Sequence, residues 1–150
     1  MIWTGIVLGI IVFESIVKEK MDRTLTFHKS IKKWNGKIIL NKYYNKGAAL
    51  DLCSKHPKLL LAMTGGLIVY IISSFKKIIR MPKQYTKKLA CALLLGGALS
   101  NFIDRIIKHH VVDYFSFSWK KIRHIVFNIA DLCIFLGSIL WMLVSFKEKK

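Results

Sequence analysis

Three aspartates in the second half of the chain could do chemistry together. Asp104 ends one apolar run, Asp113 follows it, and Asp131 lies near the start of the next apolar run. A carboxylate in or beside a membrane span is energetically unfavourable, so it is by default a functional candidate. Two close carboxylates in a low-dielectric site share one proton, because both cannot easily ionise. Asp113 with Asp131 could therefore activate water against a peptide bond while the shared proton polarises its carbonyl.

Polar neighbours at helical spacing surround these carboxylates. Asn101, Asp104 and Arg105 stand at i, i+3 and i+4, so Asn101 shares a helix face with the other two. Asn128 and Asp131 are predicted on one face of the last helix, with Asp131 about 9 Å inside the helix start. All three aspartates are then expected at one depth. A structural role also fits: Asp104 could pair with an Arg or Lys, and Asp131 could cap a polar contact between helices.

Composition indicates what must position these residues. The chain has 150 residues, is 53% hydrophobic and carries a formal net charge of +17. This apolar content is too concentrated for an ordinary soluble domain, so we expect one polytopic membrane unit over residues 1–150. The basic residues fall between the apolar runs, where they would meet anionic headgroups. That pattern favours membrane lipids as partners over nucleic acid.

Four apolar runs predict an all-α membrane protein with four transmembrane helices. The first run lacks the basic start and small-residue cleavage site of a secretory signal, so we interpret it as a span that ends at snorkelling Lys18 and Lys20. Glu14 would pair with Lys18 at i,i+4 near the interface. The predicted spans are residues 1–17, 59–75, 89–107 and 125–146.

The segments between the runs predict the orientation. Residues 76–88 carry six Lys and Arg and no acid, which indicates a cytoplasmic linker. Four spans then place both termini in the cytoplasm and residues 18–58 and 108–124 outside. Within the first outer segment, residues 37–50 favour one or two short strands and a turn, a small extracytoplasmic β-like cap. The aromatic run 114–119 could grip a lipid or an apolar peptide, or form an interfacial aromatic belt.

Five short segments resemble, in order and spacing, the signature of signal peptidase II, the bacterial lipoprotein signal peptidase. The motif around Glu14 and Lys18 also lies where that family has Asp-Gln-x-x-Lys. The matching segments are Asn45-Lys46-Gly47-Ala48-Ala49, Gly96-Gly97-Ala98-Leu99-Ser100-Asn101, Asp104-Arg105, Val111-Val112-Asp113-Tyr114 and Phe127-Asn128-Ile129-Ala130-Asp131. Five segments in register are a far more specific signal than any one alone.

The resemblance implies a four-helix membrane aspartyl endopeptidase of the bacterial cytoplasmic membrane. Such an enzyme removes signal peptides from prolipoproteins, cutting before a diacylglyceryl-modified cysteine at the outer face. It implies Asp113 and Asp131 as the catalytic pair, and no metal or cofactor. We expect a monomer whose partners are the prolipoprotein and membrane lipids. The residues implied to bind substrate or support the pair are Asn45, Gly47, Asn101, Asp104, Arg105, Asn128 and Ala130.

Several positions depart from the family pattern without touching the two aspartates. Ser100 and His109 stand where glycine is usual, and Glu14-Ser15 replaces Asp-Gln. Leu50 and Leu132 are further departures beside the motifs. A second class of function therefore stays open, a non-catalytic membrane protein. It would be a pseudo-enzyme that binds lipoproteins, or a proton-coupled carrier that uses Asp104 and Asp131 as relay groups.

Overall fold

Four helices and three strands make up the part of the chain that the structure describes. The structure is a computed structural model, and it describes residues 1–48 and 52–148. Ala49 and Leu50 of the sequence motifs therefore lie outside the described residues. The elements in chain order are α1 (Ile2–Thr24), β1 (Ile31–Lys33), β2 (Ile38–Asn45), α2 (Pro57–Ile78), α3 (Tyr85–Lys108), β3 (Val111–Phe117) and α4 (Ile129–Glu148).

Helix α3 is the centre of the helical bundle and packs against the other three helices. Small residues let its neighbours approach closely. A Cβ added at Gly97 would lie 2.5 Å from the carbonyl oxygen of Ala130 in α4, and one at Gly137 would lie 2.9 Å from the carbonyl oxygen of Ala90. Glycine is therefore required on both sides of the α3–α4 contact. Apolar residues of α1 and α2 complete the core around α3, among them Val7, Ile68, Ile71 and Phe75.

The strands form one antiparallel sheet in the order β1, β2, β3. Asn45 pairs with Val111 at one end of the β2–β3 ladder, and Ile38 pairs with Phe117 at the other. Below the sheet, Leu25, Tyr114 and Phe115 form a second buried cluster with residues from the ends of α1 and α4. The sheet is thus packed against one end of the helical bundle.

A helix is found at each of the four predicted spans, with different bounds. Among the described residues, α2, α3 and α4 are long and apolar enough to cross a membrane. Helix α1 was predicted to end at Lys18, but it continues to Thr24 because Lys18 is fully buried and bonded to α3 rather than solvated. Helix α4 was predicted from residue 125, but it begins at Ile129 because Phe127 forms a β-bridge with Phe115.

The strand predicted within residues 37–50 is found as β2, while β1 and β3 were not predicted. The aromatic run 114–119 was predicted as a lipid grip or an interfacial belt, but its first half is a buried strand. Tyr114, Phe115 and Ser116 are buried between the sheet and the helix ends, while Trp119 is exposed. Asp113 therefore lies in the middle of a strand, which holds its backbone rigidly.

Candidate active site

Asp113 is positioned by the end of the sheet. It is the third residue of β3 and is 1% exposed. Asn45, the last residue of β2, pairs with Val111, two residues before Asp113, so the two polar side chains lie on the same face. The Asn45 Nδ2 donates to Asp113 Oδ2 at 3.0 Å. The hairpin thus delivers both the carboxylate and one of its donors.

Asp131 is positioned by the start of α4. Asn128 is the residue before Ile129, and its Oδ1 accepts from the backbone N–H of Asp131 at 2.9 Å. Asp131 Oδ2 accepts in return from the backbone N–H of Asn128 at 3.1 Å. These reciprocal bonds form a capping box with Asp131 at the third helical position. The prediction that Asn128 and Asp131 share a helix face is therefore wrong, because Asn128 caps the helix from outside.

One amide joins the two aspartates. Asn128 Nδ2 donates to Asp113 Oδ1 at 2.6 Å. The Oδ1 and the backbone N–H of the same residue bond Asp131. On the other side, Asn101 Nδ2 donates to Asp131 Oδ1 at 2.8 Å. The two carboxylates are thus brought together, as predicted. Three asparagines bond them: Asn45 from the end of β2, Asn101 from α3 and Asn128 from the cap of α4.

The donors around the two aspartates are neutral. No Lys or Arg nitrogen in the described part of the chain lies within 4.0 Å of either carboxylate. Burial raises the pKa of Asp113 to about 7, and the charge of Asp131 adds to the shift. The bonds from Asn45 and Asn128 oppose it in part. At neutral pH, Asp113 is therefore poised to hold a proton beside a second carboxylate.

Asp104 belongs to a separate buried ion cluster. Lys18 Nζ lies 2.8 Å from Asp104 Oδ2 and 3.9 Å from Glu14 Oε1, and the Lys18 and Glu14 side chains are both fully buried. The ion pair with an Arg or Lys, which the structural alternative predicted for Asp104, is found, and the partners are Lys18 and, at 3.6 Å, Lys108. The predicted i,i+4 pair of Glu14 with Lys18 is therefore found, but it is buried within the protein.

Lys18 connects this ion cluster to the aspartate pair. Its Nζ donates to Asn101 Oδ1 at 2.7 Å, which fixes the amide so that Nδ2 faces Asp131. Its second donor contact is Ser100 Oγ at 3.3 Å. Ser100 therefore supplies an acceptor that glycine lacks. Sequence reasoning missed Lys18 as part of the site, although its i,i+4 spacing from Glu14 on an apolar helix was the available signal.

Tyr114 is a second residue that the sequence analysis did not assign to the site, although it lies within a family motif and the aromatic run. Its hydroxyl donates to Glu14 Oε2 at 3.0 Å and accepts from the backbone N–H of Ile129 at 3.1 Å. It therefore ties α1 to the first turn of α4, next to Asp131. Burial raises the pKa of Tyr114, and the charge of Glu14 adds to this, so the phenol stays protonated and remains a donor.

Arg105 orients the loop that follows β2. Its Nη2 donates to the Gly47 carbonyl at 2.6 Å, and its Nη1 donates to the Asn101 carbonyl at 3.3 Å. The Gly47 N–H in turn donates to Asn45 Oδ1 at 2.9 Å. Arg105 thus acts through Gly47 on Asn45, and no hydrogen bond to a carboxylate involves it among the described residues.

The remaining motif positions have structural roles. Ala130 is fully buried, and its carbonyl faces Gly97, which explains the need for a small residue on each side. His109 follows α3 with φ 61° and ψ 12°, the left-handed conformation in which glycine is favoured. The turn expected from the usual glycine therefore forms with histidine.

Together the fold and the site define a helical membrane protein with a pair of aspartates at a small sheet, of which Asp113 is buried and Asp131 is half-buried. Residues 6–147 match the family described as Signal peptidase (SPase) II. The lipoprotein signal peptidase of Geobacter sulfurreducens is 30% identical over 99% of this chain and 94% of its own. That of Haemophilus ducreyi is 32% identical over 99% of this chain and 92% of its own. The chain belongs to the signal peptidase II family, and thus to a family of membrane peptidases.

Solved structures share the fold. One, described as a bacterial membrane enzyme determined by the in meso method at 2.3 Å resolution, matches with a TM-score of 0.82 and 24% identity, covering 99% of this chain and 89% of the other. A second, described likewise at 1.9 Å resolution, matches with a TM-score of 0.78 and 25% identity, covering 97% and 92%. The resemblance seen in the sequence motifs is therefore confirmed at the level of the family.

Proposed function

We propose that this protein is an aspartyl endopeptidase that removes signal peptides from prolipoproteins, with Asp113 and Asp131 as its catalytic pair. The observation that carries the proposal is the Asn128 amide, which bonds Asp113 directly and holds Asp131 through the capping box. Neutral donors that fix the buried Asp113 and the half-buried Asp131 leave the charge and the shared proton of the pair available. Structural ion pairs are instead neutralised by cations, as Asp104 is by Lys18.

The pair would work by proton transfer in both directions. Asp131, ionised, takes a proton from a water molecule, whose oxygen attacks the scissile carbonyl carbon. Asp113, protonated, donates its proton to the carbonyl oxygen, and a tetrahedral gem-diol forms. As the C–N bond breaks, the proton held by Asp131 passes to the leaving amine, and Asp113 recovers a proton from the gem-diol. The products are a free carboxyl group and a free amine, and the pair returns to its starting state.

The supporting residues keep this geometry. Asn45 and Asn101 each bond one of the two carboxylates, and their amides are themselves held by Gly47 and Lys18. Arg105 fixes the Gly47 loop, which lies beside Asp113 and offers backbone groups to an extended peptide. A misplacement of about 1 Å can lower a rate by about 100-fold, so this second layer of contacts matters for catalysis.

The substrate follows from the family. The relatives matched above are named lipoprotein signal peptidases, so we assign prolipoproteins as substrates of this chain. The cut would fall before a diacylglyceryl-modified cysteine, whose acyl chains would remain in the bilayer. A site packed between a sheet and the ends of apolar helices suits a substrate that is half peptide and half lipid.

The proposal includes four spans in a single domain that acts as a monomer. Helix α1 supplies the fourth span, since it has 23 residues and exposes a row of large apolar side chains to the surroundings: Ile2, Leu8, Val12, Phe13 and Ile16. The basic linker between α2 and α3 would lie in the cytoplasm with both termini. The aspartates, at the opposite end of α3, would then lie at the outer face.

The test is a gel-shift cleavage assay in lipid with a diacylglyceryl-modified prolipoprotein. Asp113→Asn and Asp131→Asn should each lose signal-peptide release by at least about 1,000-fold, because the pair loses its base or its acid. Glu19→Gln removes an exposed carboxylate of α1 and serves as the matched control with wild-type activity. Full activity in either aspartate variant would disprove the catalytic pair. No release by folded wild type would favour the lipoprotein-binding pseudo-enzyme.

A further inference from the structure

The end of the sheet away from Asp113 forms a distinct surface, which we call the sheet tip, residues 32–37 and 117–123. The two segments are adjacent because Ile38 pairs with Phe117 and the Ser118 N–H donates to the Lys37 carbonyl at 2.9 Å. Phe117 is four residues along β3 from Asp113, about 13 Å at 3.3 Å per residue. The sheet tip is therefore on the same rigid sheet as the candidate active site but outside it.

Two exposed tryptophans mark the sheet tip. Trp34 is 77% exposed and Trp119 is 70% exposed. Trp34 has φ 47° at the hairpin turn, a conformation that is strained for a bulky residue. Trp119 stacks on Phe117 with ring centroids 5.6 Å apart, so its ring is held in place while its outer face stays open. Two large amphipathic rings in these positions contribute little to the packing of the folded chain. Such exposed rings are typical of an interaction surface.

The same surface is strongly basic. Its cations are Lys32, Lys33, Lys37, Lys120, Lys121 and Arg123. Residues 25–48 and 114–130 contain no aspartate or glutamate in the sequence. Within the described residues none of the six cations forms an ion pair, whereas Lys42 on the same sheet lies 2.8 Å from Asp22. The positive charge of the sheet tip is thus not compensated by the protein itself.

We propose that the sheet tip binds the phosphate-bearing headgroups of anionic phospholipids, with Trp34 and Trp119 entering the interfacial layer. Tryptophan favours this layer because one side of its ring system is apolar and its N–H can reach water or headgroups. Unpaired Lys and Arg side chains are attracted to a negative membrane surface over roughly a Debye length, about 8 Å at physiological salt. This contact would hold the sheet, and Asp113 with it, against the bilayer. It does not depend on the reaction assigned to the site.

The test follows the two tip tryptophans in the full chain reconstituted into bilayers. A Trp3→Phe/Trp141→Phe background leaves only Trp34 and Trp119 as emitters. In phosphatidylcholine bilayers containing phosphatidylglycerol, we expect a blue-shifted emission and quenching by headgroup-region brominated lipids about twofold stronger than in pure phosphatidylcholine. Salt near 1 M should remove the difference, because it shortens the Debye length to about 3 Å.

Charge variants separate a specific site from a general electrostatic effect. Lys32→Gln/Lys33→Gln/Lys37→Gln should abolish the dependence on phosphatidylglycerol. The matched control, Lys76→Gln/Lys77→Gln/Lys83→Gln, removes three charges near the α2–α3 linker and should keep it. Equal quenching in both lipids, or equal loss in the control, would overturn the proposal. Acrylamide quenching gives one more outcome that would overturn it. If polyglutamate but not phosphatidylglycerol protected the tryptophans from acrylamide, the partner would be an acidic polypeptide and not a lipid.

Discussion

Two acidic clusters lie side by side in this protein, and they are built on opposite principles. In the ion cluster, Asp104 is bound by the ammonium of Lys18 at 2.8 Å. In the aspartate pair, Asp113 and Asp131 accept hydrogen bonds from asparagine side chains and a backbone N–H. A cation neutralises a carboxylate and makes it inert, whereas amide donors orient it and leave its charge. The difference separates a carboxylate that stabilises the fold from one that can move protons.

The largest effect on this comparison is expected from removing Lys18, the cation of the ion cluster. Lys18→Met should destabilise the fold by about 3–5 kcal/mol, because Asp104 keeps only the longer contact with Lys108 and the buried Glu14 loses its cation. Thermal unfolding in detergent measures the effect. Adding Asp104→Leu to Lys18→Met should recover much of the loss, since the unpaired charge is gone. If the double variant were no more stable than the single one, the ion pair would not explain the role of Lys18.

The second test removes the amide that serves both aspartates. Asn128→Ala should lower the cleavage rate by about 100-fold through misplacement of the pair, while loss of the cap costs about 1 kcal/mol of stability. The control is Asn41→Ala, whose side chain bonds Ser30 and Ser116 on the sheet and no aspartate. Equal activity of the two variants would contradict the assigned role of Asn128.

The third test titrates the pair. The pKa of Asp113 is raised to about 7 by burial and by Asp131, so this carboxyl loses its proton as the pH rises through that value. Above it the pair has a base but no acid, and kcat/KM should fall about tenfold per pH unit. The cleavage assay over pH 5 to 9 measures this, with Glu19→Gln expected to follow the wild-type profile. A rate that stays constant to pH 9 would refute the proton-holding role of Asp113.

A smaller effect is expected where the two clusters meet at Tyr114. Tyr114→Phe removes the hydroxyl that bonds both Glu14 and the Ile129 N–H. The buried groups left behind should lower stability by about 1–2 kcal/mol. Cleavage should fall only a few-fold, since no bond to Asp113 or Asp131 is lost. Tyr70→Phe, at a 69% exposed position of α2, is the control. An identical melting temperature for both variants would show that the Tyr114 hydrogen bonds do not stabilise the fold.

The smallest effect is expected at Ser100. Ser100→Gly restores the usual family residue and removes a 3.3 Å bond to Lys18, which keeps its stronger contacts with Asp104 and Asn101. Stability should change by less than about 1 kcal/mol, part of it the cost of glycine within a helix. The melting temperature and the cleavage rate measure this. A loss as large as that of Lys18→Met would show that Ser100 organises the ion cluster.

Much of the architecture was predictable because the apolar runs are local signals. Each run coincides with a helix, and the strand-and-turn pattern of residues 37–50 corresponds to β2. Strand β3 was missed because six of its seven residues are buried, so the alternation that marks a half-exposed strand is absent. The cap at Asn128 was open to prediction, since Asn-x-x-Asp before an apolar run is a capping-box pattern.

By itself, the sequence determined the helical membrane class, the family and the identity of the candidate aspartates, because apolar length and ordered motifs are properties of the chain. Only the tertiary structure decided which carboxylate pairs with which partner. Lys18, Asp104 and Asn101 come from helices far apart in sequence, and Asp113 and Asp131 meet through a cap that follows a buried strand. Whether an acid is neutralised or left charged depends on the neighbours that folding brings within bonding distance, and these contacts have no local signature.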